Sequence, residues 1–188
     1  MTKQARTLDD ARIKKAKAEC RNERELLILL LSLYAGLRAV EIAGLKWKDV
    51  DDEDVRGSAL LLKTTKGNKP RNIPMHPELH AAFQAYRASR YVINTDRDTP
   101  VLKNTHSLRG QPLTPNSIAS WLHQFYKKRL GWDGFSSHSG RRTFATRLAR
   151  NGLNLKDLKA ILGHEWLSTT EKYIDTSPEA QKRVVDMI

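Results

Sequence analysis

Residues 137–173 read SHSGRRTFATRLARNGLNLKDLKAILGHEWLSTTEKY, and this stretch decides the fold class. Good helix formers dominate 137–150, and an Asn-Gly pair then ends the predicted helix. A shorter helix is predicted over 155–162, with Gly163 as its stop. Because the helices follow one another with only short turns between them, the stretch indicates a mostly helical fold.

The rest of the chain predicts further helices around one early β insert. Between residues 46 and 75 the pattern changes to alternating residues and short apolar runs, with turn-forming residues around Gly67. We therefore predict an α+β fold, mostly helical, with a small antiparallel three-stranded β-sheet near residues 46–75. The remaining helices are predicted over 23–35, 39–44, 77–92, 114–130, 168–174 and 177–188.

Composition limits the classes of function. The 188 residues carry 33 Lys and Arg against 21 Asp and Glu, a formal net charge of +12. Such an excess favours a polyanionic partner, because each neutralised phosphate releases counterions; a basic protein without such a partner is the alternative. A single cysteine, Cys20, excludes an intramolecular disulfide and a cysteine-based metal site. The longest apolar run, 26–33, is too short to span a bilayer, and we see no secretory signal.

Two basic motifs lie in the first half of the chain. Arg38 and Glu41 follow a glycine that ends a helix, and their i,i+3 spacing lets them meet on a helical surface. Residues 65–71, TKGNKPR, form a basic turn that can reach a phosphate backbone. Each motif also has an ordinary interpretation, the first as a solvated ion pair and the second as a polar hairpin tip.

Two further motifs lie in the second half. His138 and Arg141 have i,i+3 spacing on a predicted helix, so an imidazole and a guanidinium can face one anion. His164 follows a Leu-Gly pair and precedes Tyr173 by nine residues (173 − 164 = 9). The alternatives are ordinary polar residues at helix ends and a half-buried aromatic side chain at Tyr173.

Seven polar residues that suit phosphate chemistry follow one another along most of the chain: Arg38, Glu41, Lys66, His138, Arg141, His164 and Tyr173. No single motif is specific, but the ordered set at these spacings resembles the signature of the tyrosine recombinase (phage integrase) family. The predicted fold also resembles the catalytic domain of that family. Gly140 departs from the pattern, because an apolar residue is more usual between such a His and Arg. Either the first turn is not regular helix, or another element packs closely there.

The resemblance implies phosphoryl transfer on DNA. Tyr173 would attack the scissile phosphate to give a 3′-phosphotyrosine and a free 5′-hydroxyl, and the 5′-hydroxyl of a second strand would reverse the step. Arg38 and Arg141 would bind the nonbridging oxygens of the transition state, and His164 would donate to the same phosphate. Neither a metal nor another cofactor is implied, because the protein's own cations take that place.

The other residues of the set have supporting roles under the same resemblance. His138 is the candidate base for the phenol proton, and Lys66 is the candidate acid for the departing 5′-oxygen. Lys69 flanks the same turn, but the family pattern favours the lysine directly before Gly67. Glu41 would orient the cations. Three candidates for contacts with the DNA backbone remain: Lys69, Arg71 and Arg142.

We expect a single catalytic domain over residues 1–188, without the N-terminal core-binding domain that is usual in the family. The apolar residues of 177–188 either pack on their own core or, as the resemblance implies, are exchanged between protomers. The implied assembly is a homotetramer on double-stranded DNA, with a monomer compatible with the absence of DNA. The resemblance also implies a cytoplasmic, nucleoid-associated protein with no membrane partner.

Three alternative functions stay open at this point. A type IB topoisomerase uses similar chemistry and relaxes supercoils without pairing two sites. A helix-turn-helix regulator would read DNA with residues 155–173 and would not need the His138 and Arg141 pair. A catalytically silent relative would bind DNA without cleaving it.

The expected absence of a clamping domain leads to a first prediction. DNA binding by the chain should be weak and sensitive to salt compared with that of a full-length family member, because the remaining attraction is mostly electrostatic. Fluorescence anisotropy with a labelled duplex, titrated at several NaCl concentrations, measures this dependence. Nanomolar binding to one specific site at physiological salt would contradict the expectation.

Overall fold

A computed structural model describes residues 4–50, 59–62, 70–104 and 111–163. Most of the regular structure is helical, and one small sheet lies between the third and fourth helices, so the predicted α+β class is confirmed. The elements in chain order are α1 (Asp10–Ala18), α2 (Glu23–Tyr34), α3 (Ala39–Gly44), β1 (Ala59–Leu62), β2 (Arg71–Pro74), α4 (Pro77–Arg87), α5 (Pro115–Gln124), α6 (Ser139–Arg150) and α7 (Leu155–Leu162). The helices predicted over 168–174 and 177–188 lie outside the described residues.

Helix α2 is the centre of the fold. Its sequence, ERELLILLLSLY, is apolar on nearly every side, and such a helix must be covered on several faces. It packs against both α4 and α6. Asn22 caps its first turn by accepting a hydrogen bond from the backbone N–H of Glu25 at 3.0 Å. Its fully buried leucines form the middle of the main core: Leu27, Leu29, Leu30 and Leu31.

Gly36 sets the direction in which the chain leaves α2. Its φ of +62° is readily adopted only by glycine, which ends the helix. A Cβ at this position would lie 2.5 Å from the ring of Phe144 on α6. The turn between α2 and α3 therefore lies directly against α6.

The sheet consists of β1 and β2, which pair antiparallel with Leu60 opposite Ile73 and Leu62 opposite Arg71. This pairing confirms the predicted hairpin, although residues 63–69 of its connection lie outside the described part of the chain. In β2 burial alternates, with Ile73 buried and its neighbours exposed. Arg71 shares the inward side of the strand with Ile73, because side chains of a strand alternate with a period of two.

The prediction of three strands is wrong for the described residues, which form two. The alternating residues after Lys46 form a short 3-10 helix, Trp47–Asp49, instead of a strand. The side chain of Asp49 accepts a hydrogen bond from the N–H of Lys46 at 2.9 Å, which closes that turn. The N–H groups of Trp47 and Lys48 donate to carbonyl groups of the 97–99 segment, so they are not available to the sheet.

Two helices end differently from prediction. Helix α4 stops at Arg87 rather than near residue 92, because the hydroxyl of Ser89 donates to the carbonyl oxygen of Tyr86 and competes with the helical pattern. Helix α5 gives way after Gln124 to a π-helical turn, Phe125–Arg129, within the predicted span. None of the described helices has the length and apolar character that crossing a membrane requires.

Helix α7 is the last helix of the described residues, and it packs against α6 and β2. Its buried residues Leu158 and Leu162 form a separate small cluster with Ala145 of α6. Four partly buried apolar residues pack against this cluster: Phe144, Leu148, Ala149 and Leu153.

Gly140 lies where α6 crosses α2 most closely. A Cβ at this position would lie 2.8 Å from the Cβ of Ser32 and 3.0 Å from its backbone carbonyl carbon. Of the two explanations for a glycine between His138 and Arg141, the close approach of another element is therefore the correct one. Residues 139–150 are regular α-helix.

We predict that Gly140→Ala destabilises the protein even though alanine is the better helix former. The gain in helix propensity is about 1 kcal/mol, whereas overpacking against fixed backbone costs about 1–3 kcal/mol. Urea unfolding followed by circular dichroism should show a net loss of unfolding free energy. Gly44→Ala is the matched control, because nothing lies within 4 Å of its added Cβ and its stability should be unchanged or higher. Equal or greater stability of the Gly140→Ala protein would refute the tight crossing.

Candidate active site

The carboxylate of Glu41 organises the N-terminus of α3. Its Oε2 accepts a hydrogen bond from the backbone N–H of Arg38 at 2.8 Å, and its Oε1 accepts one from Nη1 of Arg38 at 3.3 Å. The side chain of Glu41 is 4% exposed and that of Arg38 is 30% exposed. The predicted pair therefore forms, but its carboxylate is buried, which a solvated surface pair would not show.

Two more guanidinium groups approach the same carboxylate. Nη2 of Arg71 lies 2.8 Å from Oε1 of Glu41, and Nη1 of Arg141 lies 3.7 Å from Oε2. The side chains of Arg71 and Arg141 are 7% and 5% exposed. We call these four residues the arginine cluster: Arg38, Glu41, Arg71 and Arg141.

Arg141 joins three elements. It lies in the first turn of α6, and its Nη1 and Nη2 donate to the carbonyl oxygens of Gly36 and Leu162, each at 2.6 Å. These acceptors are the second residue after α2 and the last residue of α7. A planar fork with several donors can serve divergent acceptors in this way, whereas a lysine ammonium cannot reach both with the same geometry.

Arg71, predicted as a contact with the DNA backbone, is buried and bonded within the protein; its contact with DNA stays a prediction. Its Nε donates to the carbonyl oxygen of Ile161 at 2.9 Å, and its guanidinium packs on Gly163, where a Cβ would lie 2.7 Å from Nη1. A signal for this buried role was present in the sequence. Arg71 has the same parity as the apolar Ile73 along β2, which places it on the inward side.

The electrostatics of the arginine cluster favour the ionised form of Glu41 and leave an excess of positive charge. Burial alone would raise the pKa of Glu41, but the N–H of Arg38 and the guanidinium groups of Arg71 and Arg141 outweigh it and hold that pKa below its usual value. Three guanidinium groups around one carboxylate leave a net positive charge. An anion bound beside them would be favoured by charge-assisted hydrogen bonds.

His138 and Arg142 flank Arg141 but differ in exposure. His138 is exposed and immediately precedes α6, three residues before the buried Arg141. Arg142 is half-buried, and its Nη1 donates to the carbonyl oxygen of Ala5. Arg142 thus helps to anchor the N-terminal segment, and its contact with DNA stays a prediction.

The structure brings together four of the predicted site residues. Arg38, Glu41 and Arg141 meet as expected from the sequence, and Arg71, predicted as a contact with DNA, joins them. Three backbone acceptors were not predicted, because no side-chain pattern marks a carbonyl group as a ligand of arginine: those of Gly36, Ile161 and Leu162. Four predicted residues lie outside the described part of the chain: Lys66, Lys69, His164 and Tyr173.

Comparison with known proteins identifies the family. Residues 4–180 match the model of the phage integrase family. The tyrosine recombinase XerC of Myxococcus xanthus is 32% identical over 165 residues, which cover 87% of this chain and 54% of that protein. The tyrosine recombinase XerA of Pyrococcus horikoshii is 30% identical over 182 residues, which cover 96% of this chain and 60% of that protein. The chain thus spans little more than half the length of these relatives.

Solved structures agree on the fold. The crystal structure of the XerA recombinase aligns with a TM-score of 0.78 and 26% identity, over 98% of this chain and 65% of that one. The Tn1549 transposon integrase in complex with a circular intermediate DNA aligns with a TM-score of 0.76 and 22% identity, over 100% of this chain and 67% of that one. Because the family model spans almost the whole sequence, and the fold agrees, the chain belongs to the phage integrase family.

Proposed function

We propose that this protein is the catalytic part of a site-specific DNA recombinase or integrase that cleaves and rejoins strands through a 3′-phosphotyrosine. The observation that carries the proposal is the arginine cluster, in which residues as distant as Arg38 and Arg141 share one buried carboxylate. The relatives named tyrosine recombinases and the family membership support the same activity. They lend no support to a topoisomerase or a regulator.

The two arginines suit the charge that develops during phosphoryl transfer. In the pentavalent transition state, negative charge accumulates on the nonbridging oxygens of the phosphate. Guanidinium groups bind such oxygens with paired, charge-assisted hydrogen bonds. Arg141 is held before DNA arrives by its bonds to Gly36 and Leu162, so little reorganisation is needed at the moment of reaction. Arg38 is more exposed and supplies the accessible cation.

Tyr173 is the proposed nucleophile, and the other four tyrosines are poor candidates. Tyr86 and Tyr126 are fully buried, and burial raises the pKa of both, that of Tyr86 to about 12. The hydroxyl of Tyr34 is bonded to a glutamate, and Tyr91 lies against Tyr86 and accepts a hydrogen bond from an arginine. Only Tyr173 also has the spacing from a Gly-His pair that the family signature has.

The proposed reaction conserves protons at each step. The phenol oxygen of Tyr173 forms a bond to phosphorus as the bond from phosphorus to the 5′-oxygen breaks. His138 takes the phenol proton, and Lys66 supplies a proton to the departing 5′-oxygen. His164 donates a hydrogen bond to the phosphate. A 5′-hydroxyl from another strand then attacks the phosphotyrosine and returns the tyrosine to its free state.

The partner that we propose is double-stranded DNA, in a synaptic homotetramer. The net charge of +12 suits a polyphosphate partner, and the Tn1549 integrase, which has the same fold, was solved in complex with DNA. Exchange of the 177–188 segment between protomers would link the four subunits. We propose that the protein is cytoplasmic and works at the nucleoid, as expected for an enzyme of chromosomal or mobile DNA.

We predict that the protein becomes covalently attached to DNA through Tyr173. The substrate is a pool of duplexes with a randomised central region and a single nick, so that a short strand with a 5′-hydroxyl diffuses away after cleavage and the adduct accumulates. Denaturing electrophoresis should show the adduct with the parent protein and none with Tyr173→Phe. Sequencing of the attached DNA then supplies a defined substrate.

Tyr126→Phe is the matched control for this experiment. It removes a buried hydroxyl that has no hydrogen-bond partner among the described residues, so it should fold normally and form the adduct at the parent rate. An adduct that persists in Tyr173→Phe would assign the nucleophile to another residue. Absence of any adduct with the parent protein would count against the recombinase proposal.

We predict that Arg38→Ala and Arg141→Ala separate catalysis from stability. Each should lower the single-turnover rate of adduct formation by about 10²–10³-fold, because each removes a donor to the developing charge. Arg141→Ala should also lower the unfolding free energy by about 1–3 kcal/mol, since the carbonyl groups of Gly36 and Leu162 lose their donors. Arg38→Ala should change it by less than about 1 kcal/mol, because its side chain is partly exposed. Normal cleavage by Arg38→Ala, or full stability of Arg141→Ala, would contradict these roles.

A further inference from the structure

We propose that Arg71 is a positioning residue of the active site, which keeps the guanidinium of Arg38 available to the scissile phosphate and holds the end of α7. The inference rests on the proposed function and adds to it a residue outside the seven of the motif. Arg71 itself does not touch DNA in this proposal. It acts through Glu41 on one side and through the carbonyl group of Ile161 on the other.

The contacts of Arg71 join three elements that otherwise have few connections. Its backbone belongs to β2, its Nη2 lies 2.8 Å from Oε1 of Glu41 on α3, and its Nε donates to Ile161 of α7 at 2.9 Å. The α7 contact adds a polar link from β2 to a helix whose apolar cluster lies against α6. Arg141 binds the next carbonyl along, that of Leu162. Two arginines thus cap consecutive carbonyl groups at the negative end of α7.

Arg71 also competes with Arg38 for one oxygen atom. Both guanidinium groups bind Oε1 of Glu41, Arg71 at 2.8 Å and Arg38 at the longer distance of 3.3 Å. The shorter contact takes the larger share of the charge on that oxygen. Arg38 is therefore bound loosely enough to turn toward an incoming anion, yet remains tethered. Without Arg71, Glu41 would draw Arg38 closer and compete with the phosphate for its donors.

The two contacts made by the side chain at position 71 require an arginine. Nη2 and Nε reach acceptors on two different elements, and the flat guanidinium fits against Gly163, where a Cβ would lie 2.7 Å from Nη1. A lysine would bind one acceptor with a compact ammonium and leave the other without a donor. A buried ion pair is in itself weak evidence for stability, because desolvation offsets much of the attraction. Glu41, the partner of Arg71 in this pair, also contacts Arg38 and Arg141. We therefore assign the pair a role in orienting these guanidinium groups.

The test uses Arg71→Met in the whole chain, with the duplex selected in the adduct experiment and with the same duplex carrying a methylphosphonate at the scissile position. The methyl group replaces a nonbridging oxygen and removes the negative charge that the arginines bind. On the ordinary phosphate, Arg71→Met should form adduct about 10–100-fold more slowly, since small misplacements of catalytic groups cost up to about 100-fold. DNA affinity should change by less than about threefold, because Arg71 makes no phosphate contact. On the methylphosphonate, the difference from the parent protein should shrink to less than about threefold, because orientation of the arginines matters less without that charge.

Arg129→Met is the matched control. Arg129 pairs with Glu25 through bonds of 2.5 and 3.1 Å, and this half-buried ion pair lies outside the arginine cluster. Its loss should lower stability but leave the adduct rates on both substrates unchanged. Circular dichroism checks that each variant is folded. If Arg71→Met is unfolded, the same comparison of two substrates is made with Arg71→Lys, which should show a smaller loss on phosphate and the same recovery on methylphosphonate.

The outcomes distinguish this inference from the function on which it rests. A folded Arg71 variant that cleaves phosphate at the parent rate, or that loses the same factor on both substrates, would overturn the positioning role. A parent protein that forms no adduct dependent on Tyr173 would instead overturn the recombinase proposal. A selective loss on the charged substrate would support the inference.

Discussion

The buried carboxylate of Glu41 is the interaction on which the site depends. Three guanidinium groups from α3, β2 and α6 would repel one another in a low-dielectric environment. One carboxylate with four acceptor directions lets all three approach the same point, and the carbonyl groups of Gly36, Ile161 and Leu162 accept further hydrogen bonds from Arg141 and Arg71. Removing the carboxylate itself, which would leave the buried guanidinium groups without a counter-charge, costs about 3–5 kcal/mol. The cluster is therefore both a structural joint and a preassembled anion site.

The sequence alone was enough for the fold class and for much of the site. The helix stop at Gly163 and the i,i+3 pairs on α3 and α6 depend on local rules of capping and spacing, which are visible in a single sequence. The pair of Arg38 and Glu41 forms as expected. The close packing at Gly140 was one of two explanations that the sequence offered, and the position of Ser32 decides between them.

What the sequence did not reveal concerns partners that are distant along the chain. Trp47 and Val50 alternate with charged residues as a strand would, but the N–H groups of Trp47 and Lys48 are bonded to the 97–99 segment, which no local pattern reveals. The buried contacts of Arg71 are a second case. Its acceptors lie on α3 and α7, 30 and 90 positions away, so its burial follows from tertiary structure.

The guanidinium groups of Arg141 and Arg38 differ in how firmly the protein holds them. Arg141 is almost fully buried and bonded on both sides, so its position is set by the junction of α2, α6 and α7 before any ligand binds. Arg38 is partly exposed, and the contact of its guanidinium with Glu41, the one seen among the described residues, is long, which suits a cation that adjusts to a ligand. If both cations were fixed, the scissile phosphate would have to bind in only one position. If both were mobile, the site would lose the stabilisation that donors already oriented toward the transition state provide. One fixed and one adjustable guanidinium, joined through Glu41, satisfy both demands, and Arg71 shares Oε1 of Glu41 with the adjustable one.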